Sequence, residues 1–234
     1  MLDTPTEPNE ATGALRTPIR VDVVSDVMCP WCLIGKRRLE KAMTATPDLD
    51  WTVIWRPYQL DPTLPPEGKP RQQYLDDKFG RERATAFYER IAEEGRKEGI
   101  DFAFDKIEVS PNTLDAHRML RWAVTASPHI QNMLKERLLT DYFIEGRNVA
   151  DYNVLLNAAD AVGLDARKIA PLLASDLDRD AVRDEIAYLQ KIGVSGVPTF
   201  IFDETAAVSG AQDGDTLVQV ARQVIALREE KPQA

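Results

Sequence analysis

The sequence predicts an α/β protein in which a mixed β-sheet is assembled from both ends of the chain around a long helical insertion. Residues 19–60 alternate strand, helix and strand signals. Residues 196–230 show strand, turn, strand and helix signals, and the stretch between them keeps a mostly helical apolar periodicity. This order, β-α-β, then many helices, then β-β-α, is typical of a sheet interrupted by a helical subdomain.

The first half predicts a βαβ unit. The apolar, β-branched run Ile19–Ser25 predicts a buried strand. A helix is expected from Cys29 or Pro30 to Ala45, because a proline is tolerated in the first turn, and Pro47 ends it. Leu49–Leu60 predicts a second strand, parallel to the first with a right-handed crossover.

The middle of the chain predicts helices behind a proline-rich exit. Asp61–Pro70 holds four prolines and is expected to be a loop. Residues 71–192 are mostly helical in periodicity, with Asp151 as an expected N-cap. We therefore expect a discontinuous domain of residues 18–60 and 193–230, and a helical subdomain of residues 61–192. The polar segment 1–17 is expected to be a disordered tail.

The C-terminal part closes the sheet. Gly196–Gly210 predicts two strands with Asp203 and Glu204 in the turn between them. A final amphipathic helix follows. Its inward positions are expected to be Leu217, Val220, Val224 and Leu227.

Composition limits the class of protein. With 44% hydrophobic and 29% charged residues, the chain of 234 residues is an ordinary globular protein. Its net charge of -9 argues against nucleic acid or an anionic membrane surface as the main partner. No apolar stretch of membrane-spanning length and no signal-peptide pattern is present, so a cytoplasmic location is expected. Composition leaves the oligomeric state open.

The two cysteines, Cys29 and Cys32, form a CxxC motif at the expected helix start. The thiolate is the reactive form of cysteine, and a helix N-terminus favours it at Cys29. Cys32, one turn later, can close a disulfide with Cys29, so the spacing suits attack by Cys29 and resolution by Cys32. Cys29 is expected to be the more exposed of the two.

Two other interpretations of the motif stay open. A structural zinc site needs four ligands, whereas the two histidines, His117 and His129, lie twelve residues apart. An inert pair in the core is the second alternative. The position of the pair, after a strand of an α/β unit, favours a functional site. No metal is expected, and no cofactor beyond the redox-active pair itself.

Several motifs together carry a family resemblance. "CPWC" opening a helix, with "GVSGVPTFIF" far downstream, resembles the thioredoxin superfamily, and the long helical insertion resembles its DsbA branch. "SDVMCPWCLIGKRRLE", "SPNTLDAHRM", "YFIEGRNVAD" and "GVSGVPTFIFDETAAVSGAQ" are similar to FrnE-like members, relatives of 2-hydroxychromene-2-carboxylate isomerases and kappa-class glutathione transferases. The resemblance extends from Ile19 to the last helix and implies a thioredoxin-like fold.

The resemblance implies roles for the central residues. Cys29 is expected to be the nucleophile and Cys32 the resolving thiol, with Pro30 and Trp31 between them. Pro198, preceded by Val197, matches the cis-proline of the superfamily; the alternative from sequence alone is a trans proline that starts an edge strand. A cis bond there exposes the backbone of Val197 beside the CxxC, where a substrate chain can pair as an added strand.

Further candidates come from the same resemblance. Asp22, on the first strand, matches the buried acid that helps to move the proton of the resolving thiol; the alternative is a solvent-facing or capping carboxylate. Asn112, Thr113 and His117 match a segment that lines the cavity facing the active site in the isomerase and transferase relatives. The alternative is that Asn112 caps a helix and His117 packs in the interior.

Three functions are compatible with these residues. The first is a thiol–disulfide oxidoreductase, or disulfide isomerase, acting on polypeptide thiols or disulfides. The second is a glutathione-dependent isomerase or transferase of a small aromatic molecule, with glutathione as co-substrate. Those relatives commonly carry serine at the first cysteine position, so the presence of both cysteines favours redox exchange. The third is a redox-independent chaperone that uses apolar groups around the motif.

Overall fold

The computed structural model describes residues 16–230 and has the predicted α/β architecture. Most of the segment predicted to be a disordered tail, residues 1–15, lies outside the described residues. The six strands are β1 (Thr17–Ser25), β2 (Leu49–Pro57), β3 (Lys69–Pro70), β4 (Val109–Ser110), β5 (Thr199–Phe202) and β6 (Ala206–Ser209). The nine α-helices are α1 (Pro30–Ala45), α2 (Arg71–Phe79), α3 (Arg81–Lys97), α4 (Leu114–Ala126), α5 (Pro128–Phe143), α6 (Tyr152–Ala161), α7 (Ala166–Ala174), α8 (Arg179–Lys191) and α9 (Gly214–Glu229).

A four-stranded mixed sheet in the order β2-β1-β5-β6 joins the two ends of the chain. β1 pairs in parallel with β2, with Val21 opposite Val53. It pairs antiparallel with β5, where Val23 lies opposite Phe200, and β6 closes the sheet as a hairpin with β5. Asp203 and Glu204 form the turn of this hairpin, both at positive φ. The mixed sheet with many helices confirms the predicted fold class.

The insertion between the two halves of the sheet is mainly helical and contains one short β pair. β3 and β4 pair antiparallel, so the proline-rich segment predicted as a loop ends in a two-residue strand. The N-cap of α6 is Asp151, as predicted, and its carboxylate accepts hydrogen bonds from two backbone N–H groups. The division into a discontinuous domain and a helical subdomain stays a prediction.

The two largest clusters of buried apolar residues both include residues of α1. The first lies between the sheet, α1 and α9, and includes Val21, Phe200 and Leu217. The second fills the helical insertion and also takes in Val27, Met28, Leu33 and Ile34 from the start of α1. The helical insertion therefore packs directly on the CxxC end of α1. In α9, Leu227 is 48% exposed, so its predicted inward position is wrong.

Within residues 16–230, none of the helices has the length and apolar character that crossing a lipid bilayer requires.

Gly35 allows α1 to approach the sheet closely at the site. A Cβ atom at this position would lie 2.9 Å from Cγ of Pro198 and 3.2 Å from Cζ of Phe200. Both of these atoms belong to rings that are buried, so neither can move aside freely. The absence of a side chain at position 35 is therefore what sets the separation between α1 and the Val197–Pro198 segment.

Gly35→Ala should lower the free energy of unfolding. Alanine gains about 1 kcal/mol in helix propensity over glycine, but overpacking a tight contact costs about 1–3 kcal/mol. We expect a net loss of about 1 kcal/mol, measured by urea unfolding. Gly196→Ala is the matched control, because a Cβ atom there meets nothing within 4 Å. Equal stability of the two variants would contradict the tight contact at Gly35.

Candidate active site

Cys29 lies at the start of α1, where its backbone forms the N-cap. Pro30 follows as the first helical residue, and the N–H of Cys32 donates to the carbonyl of Cys29 at 3.0 Å. The Cys29 thiol donates a hydrogen bond to the carbonyl oxygen of Val197 at 3.6 Å. Cys29 is 4% exposed and Cys32 is 0% exposed, in the order predicted from the sequence.

The Val197–Pro198 peptide bond is cis. It precedes β5, the strand that pairs with β1, and so it reaches the same end of the sheet as the CxxC motif. Val197 is half-buried and Pro198 is buried. The structure thus brings together residues that lie 168 positions apart in the chain.

Cys32 is a free thiol enclosed by protein. Burial raises the pKa of Cys32 well above its ordinary value, and the neighbouring Cys29 raises it further through a hydrogen bond and through its charge. The charge of Lys135 acts in the opposite direction and lowers the pKa. Since only the thiolate attacks a disulfide, the surroundings of Cys32 control how readily it can act.

Asp26 is the buried acid of the site. Its carboxylate accepts hydrogen bonds from the N–H groups of Met28 at 3.4 Å and Leu60 at 2.7 Å, and it lies 3.3 Å from Nε2 of His117. Burial acts to raise the pKa of this carboxyl, but the interactions with His117, Leu60 and Thr113 outweigh it, so the pKa is lowered. Asp26 therefore stays ionised and fixes the loop that delivers Cys29.

The predicted acid, Asp22, lies elsewhere, and that prediction is corrected. Although it is only 5% exposed, its carboxylate pairs with Arg56 at 2.5 Å and with Arg20 at 2.9 Å. Asp22 lines a cavity of about 500 Å³ together with Tyr188 of α8 and Ile192, which directly follows α8. The alternation of side chains along β1 places it with Val24, on the sheet face that packs against Leu189 of α8.

Two of the three residues predicted around the start of α4 lie near Asp26. Nε2 of His117, a residue 2% exposed, is 3.3 Å from the Asp26 carboxylate. Thr113 is 1% exposed and helps to lower the pKa of Asp26. Asn112 does not reach the cysteines. Its side chain accepts from Gln59 at 3.1 Å and from the N–H of Leu114 at 3.0 Å, and donates to the carbonyl of Leu64 at 2.6 Å. Asn112 therefore holds loops together at the start of α4.

Lys135 brings a buried cation from α5 into the site. Its side chain is 0% exposed, and its Nζ atom has no hydrogen-bond partner. Nζ lies 5.4 Å from the ring centre of Trp55. Burial lowers the pKa of Lys135 to about 8, although the charges of Cys32, Asp26 and Cys29 act to raise it.

Hydrogen bonds fix α5 on the sheet next to Lys135. Gln131, one helical turn earlier, accepts from the N–H of Trp55 and donates to its carbonyl, both at 2.9 Å. The indole N–H of Trp55 donates to Asn132 at 3.0 Å. Because these bonds join a strand of the sheet to the helical insertion, the position of Lys135 relative to the CxxC is well defined.

The rim around the thiols is less apolar than the residue types suggest. Met28 is 7% exposed, Pro30 is buried and Trp31 is partly buried against the core of the insertion. Beyond them, the guanidinium of Arg71 lies 4.6 Å from the ring centre of Tyr88, a phenol close enough for the charge of Cys29 to raise its pKa, although burial is the larger cause.

Over the part of the chain that the structure describes, no three His, Cys, Asp or Glu side chains come together in a way that could hold a metal ion.

Sequence reasoning missed Asp26 and Lys135. Asp26 directly follows the first strand and interrupts its apolar run, and a carboxylate three residues before a CxxC can cap the loop that leads to it. Lys135 stands next to Leu134 in the apolar stripe of α5. A lysine in that place is ordinarily a solvated neighbour of the stripe, so apolar periodicity contains no signal for it.

The chain matches the profile of one protein family. The family is the DSBA-like thioredoxin domain, and the match covers residues 20–221.

Individual proteins with related sequences or structures agree with this match. The crystal structure of a probable DsbA oxidoreductase from Streptomyces coelicolor superimposes with a TM-score of 0.82 at 31% identity, covering 92% of this chain and 93% of that one. The uncharacterised protein YwbO of Bacillus subtilis (strain 168) is 27% identical over 84% of this chain and 92% of its own length.

More distant structures share the fold. A 2-hydroxychromene-2-carboxylate isomerase superimposes with a TM-score of 0.65 at 14% identity, covering 90% of this chain and 97% of that one. The cytosolic disulfide reductase DsbM from Pseudomonas aeruginosa, solved with GSH, superimposes with a TM-score of 0.57 at 20% identity over the same shares.

Replacing Lys135 by methionine should stabilise the protein, and the gain should depend on pH. In the folded state the pKa of Lys135 is about 8, below the ordinary value near 10.4, so the unfolded chain binds more protons between these two pH values. Burying the charged lysine therefore costs about 3 kcal/mol below pH 8, and this cost disappears as pH rises toward 10.

The measurement is urea unfolding of Lys135→Met and its parent in a Cys29→Ser/Cys32→Ser background, where no thiol titrates. The stabilisation should be largest at pH 7 and about 2 kcal/mol smaller at pH 9.5. Lys36→Met is the control, because Lys36 is also buried but pairs with Glu40 and with Glu136. It should be destabilising. A loss of stability in Lys135→Met at pH 7 would show that the charge of Lys135 is compensated.

Proposed function

The chain belongs to the family of DSBA-like thioredoxin domains, and we propose that it is a thiol–disulfide oxidoreductase that cycles Cys29 and Cys32 between dithiol and disulfide. One observation carries the proposal. Cys29 stands at the N-terminus of α1 with its sulfur 3.6 Å from the carbonyl of Val197, next to the cis bond to Pro198. A reactive sulfur, a resolving thiol in the same helical turn and an adjacent backbone segment form a complete site for disulfide exchange.

The chemistry divides between the two cysteines. In the reducing direction, the Cys29 thiolate attacks one sulfur of a substrate disulfide, a Cys29–substrate bond forms and the other substrate sulfur leaves as a thiolate. The Cys32 thiolate then attacks Cys29, the Cys29–Cys32 bond forms and the second substrate thiolate leaves. The substrate gains two electrons, which the cysteine pair loses. In the oxidising direction the same steps run backwards.

The roles of the two cysteines follow from their surroundings. Cys29 is the more exposed of the two cysteines and lies at the N-terminus of α1, which favours its thiolate. Cys29 is therefore the cysteine that attacks the substrate and forms the mixed disulfide. Cys32 is enclosed and its pKa is raised, so it stays a thiol until Cys29 has reacted. This order avoids premature reaction of Cys32 with other molecules.

We propose polypeptide thiols or disulfides, or glutathione, as the reaction partners. The half-buried Val197 lies beside the reactive sulfur, where an extended chain can be held by its backbone. The disulfide reductase of Pseudomonas aeruginosa with the same fold was solved with GSH, which supports a small thiol as a second kind of partner. The reducing cytoplasm remains the proposed location, since a lone CxxC there is typically catalytic.

A glutathione-dependent isomerase or transferase is the second candidate, because the fold is shared with a 2-hydroxychromene-2-carboxylate isomerase. Its chemistry would use a bound glutathione thiolate and would leave the protein's own cysteines unchanged. The presence of both cysteines in one helical turn favours redox exchange over this alternative.

Substituting the attacking cysteine should abolish disulfide exchange. We expect the wild type to accelerate the reduction of insulin by dithiothreitol, and Cys29→Ser to reduce the acceleration by at least about 100-fold, since a hydroxyl cannot replace the thiolate. Cys32→Ser should retain the first step and accumulate a mixed disulfide, visible as a mass increase that dithiothreitol removes.

Other outcomes separate the remaining functions. Equal rates in Cys29→Ser and wild type would exclude the oxidoreductase. Turnover of a hydroxychromene carboxylate only with added glutathione would favour the isomerase. Suppression of aggregation that persists in Cys29→Ser/Cys32→Ser would establish a chaperone activity that is independent of the thiols.

A further inference from the structure

Lys135 has no role in the cycle described so far, although it is the least expected residue near the thiols. It is a lysine with 0% exposure on α5, and its Nζ atom lacks a hydrogen-bond partner. Burying an ammonium group without a partner is costly, and natural proteins retain such groups chiefly at functional sites. The Trp55 ring, whose centre lies 5.4 Å from Nζ, is a contact for the ammonium group, but it supplies neither an anion nor a hydrogen-bond acceptor. The other buried lysine, Lys36, has ion-pair partners.

α5 lies against α1 beside the CxxC, because Glu136, the residue after Lys135, pairs with Lys36 at 2.9 Å, and Lys36 is one helical turn after Cys32. The groups whose charges act on the Lys135 ammonium are, largest first, Cys32, Asp26, Cys29 and Lys36. Asp26 has partners of its own in His117 and two backbone N–H groups. The charge of Lys36 is neutralised by salt bridges to Glu40 and Glu136. The charge of Lys135 also acts on Cys32, where it favours the thiolate.

We propose that Lys135 supplies the positive charge that stabilises the Cys32 thiolate while Cys32 resolves the mixed disulfide. Lys135 does not touch the substrate; it acts through Cys32, so it is a positioning residue. This inference rests on the oxidoreductase function proposed above. The helical insertion, in this arrangement, contributes electrostatics to the reaction as well as shape.

The resolving step shows why a cation is needed. The Cys32 thiol first releases its proton to solvent, and the resulting thiolate attacks Cys29. The Cys29–Cys32 bond forms, the bond between Cys29 and the substrate breaks, and the leaving thiolate takes up a proton from solvent. No proton is gained or lost overall. The charge at Cys32 exists only between its ionisation and its attack, in surroundings of low polarity where a fixed positive charge acts strongly.

A lysine and a carboxylic acid beside Cys32 would affect its thiolate in opposite ways. A carboxylate beside Cys32 would repel the thiolate unless it took up the proton itself. An ammonium group favours the thiolate without any proton transfer and needs no direct hydrogen bond to the sulfur. The lack of a hydrogen-bond partner at Nζ is compatible with this role, because charge acts over several ångströms in a dry interior.

The test follows both steps in one experiment. Reduced full-length protein is mixed in a stopped-flow instrument with excess 5,5′-dithiobis(2-nitrobenzoate), which releases one coloured thiolate when Cys29 attacks and a second when Cys32 resolves. The first phase depends on reagent concentration and the second does not. The proposal concerns only the second phase and its dependence on pH.

Lys135→Met should leave the first phase within about twofold of wild type and slow the second phase. A rise of one unit in the pKa of an attacking thiol lowers its thiolate fraction about tenfold. The thiolate that remains is about threefold more nucleophilic, so the net rate falls about threefold. We therefore expect the second phase to be slower by about threefold or more at pH 7, with its rise displaced to higher pH.

Lys36→Met is the matched control, because it removes a second buried lysine whose charge is already neutralised. It should leave the pH dependence of the second phase unchanged. A second phase in Lys135→Met with the wild-type rate and pH profile would overturn the proposal, as would an equal displacement of the profile in Lys36→Met.

The two proposals fail in different ways. If wild-type protein releases only one thiolate per molecule, or if Cys29→Ser releases its single thiolate as fast as the first phase of the wild type, the oxidoreductase cycle itself is wrong. If the wild type shows both phases and Lys135→Met resolves normally, only the role of Lys135 is wrong. Thermal melting of Lys135→Met accompanies the kinetics. A variant that melts at a higher temperature but resolves more slowly cannot owe its slower rate to a damaged fold.

Discussion

The approach of α1 to the Val197–Pro198 segment is the constraint on which the site depends. Gly35 permits this approach, since a methyl group in its place would contact two buried rings at 3.2 Å or less. The approach in turn brings the Cys29 sulfur to the Val197 carbonyl. Because α1 follows β1 and Pro198 precedes β5, pairing of β1 with β5 is needed before either side of the contact exists. The sheet registers thereby determine the geometry of a site made from both ends of the chain.

The helical insertion decides the polarity of that site. Val27, Met28, Leu33 and Ile34 from the CxxC region belong to the core of the insertion and not to the core beneath the sheet. This packing removes water from Cys32, and the loss of water is the largest reason that its pKa is raised. The same enclosure increases the effect of every nearby charge. A charged side chain placed here by the insertion is consequently more effective than one at the surface.

Local sequence signals were sufficient for most of the fold and for the two cysteines. The β1-α1-β2 unit, the Asp151 cap and the β5–β6 hairpin each depend on residues close together in the chain, so periodicity and turn residues reveal them. The error at Leu227 and the short β3–β4 pair have a different origin. Both depend on which distant surface covers a residue, and apolar periodicity does not contain that information.

The acid beside the cysteines shows the same limit more clearly. Asp22 lies within β1 and Asp26 directly follows it, and both are buried. From the sequence, either carboxylate could face the thiols. The alternation of side chains along β1 fixes the face of Asp22, where Arg20 and Arg56 pair with it, whereas Leu60, Thr113 and His117 interact with Asp26. With Asp26 ionised and engaged by His117, the site has no carboxylic acid prepared to take a proton from Cys32. A cation is then the remaining means of favouring the Cys32 thiolate. Lys135 is a buried lysine whose Nζ atom lacks a hydrogen-bond partner, and it lies on α5 next to Glu136, which pairs with Lys36 of α1.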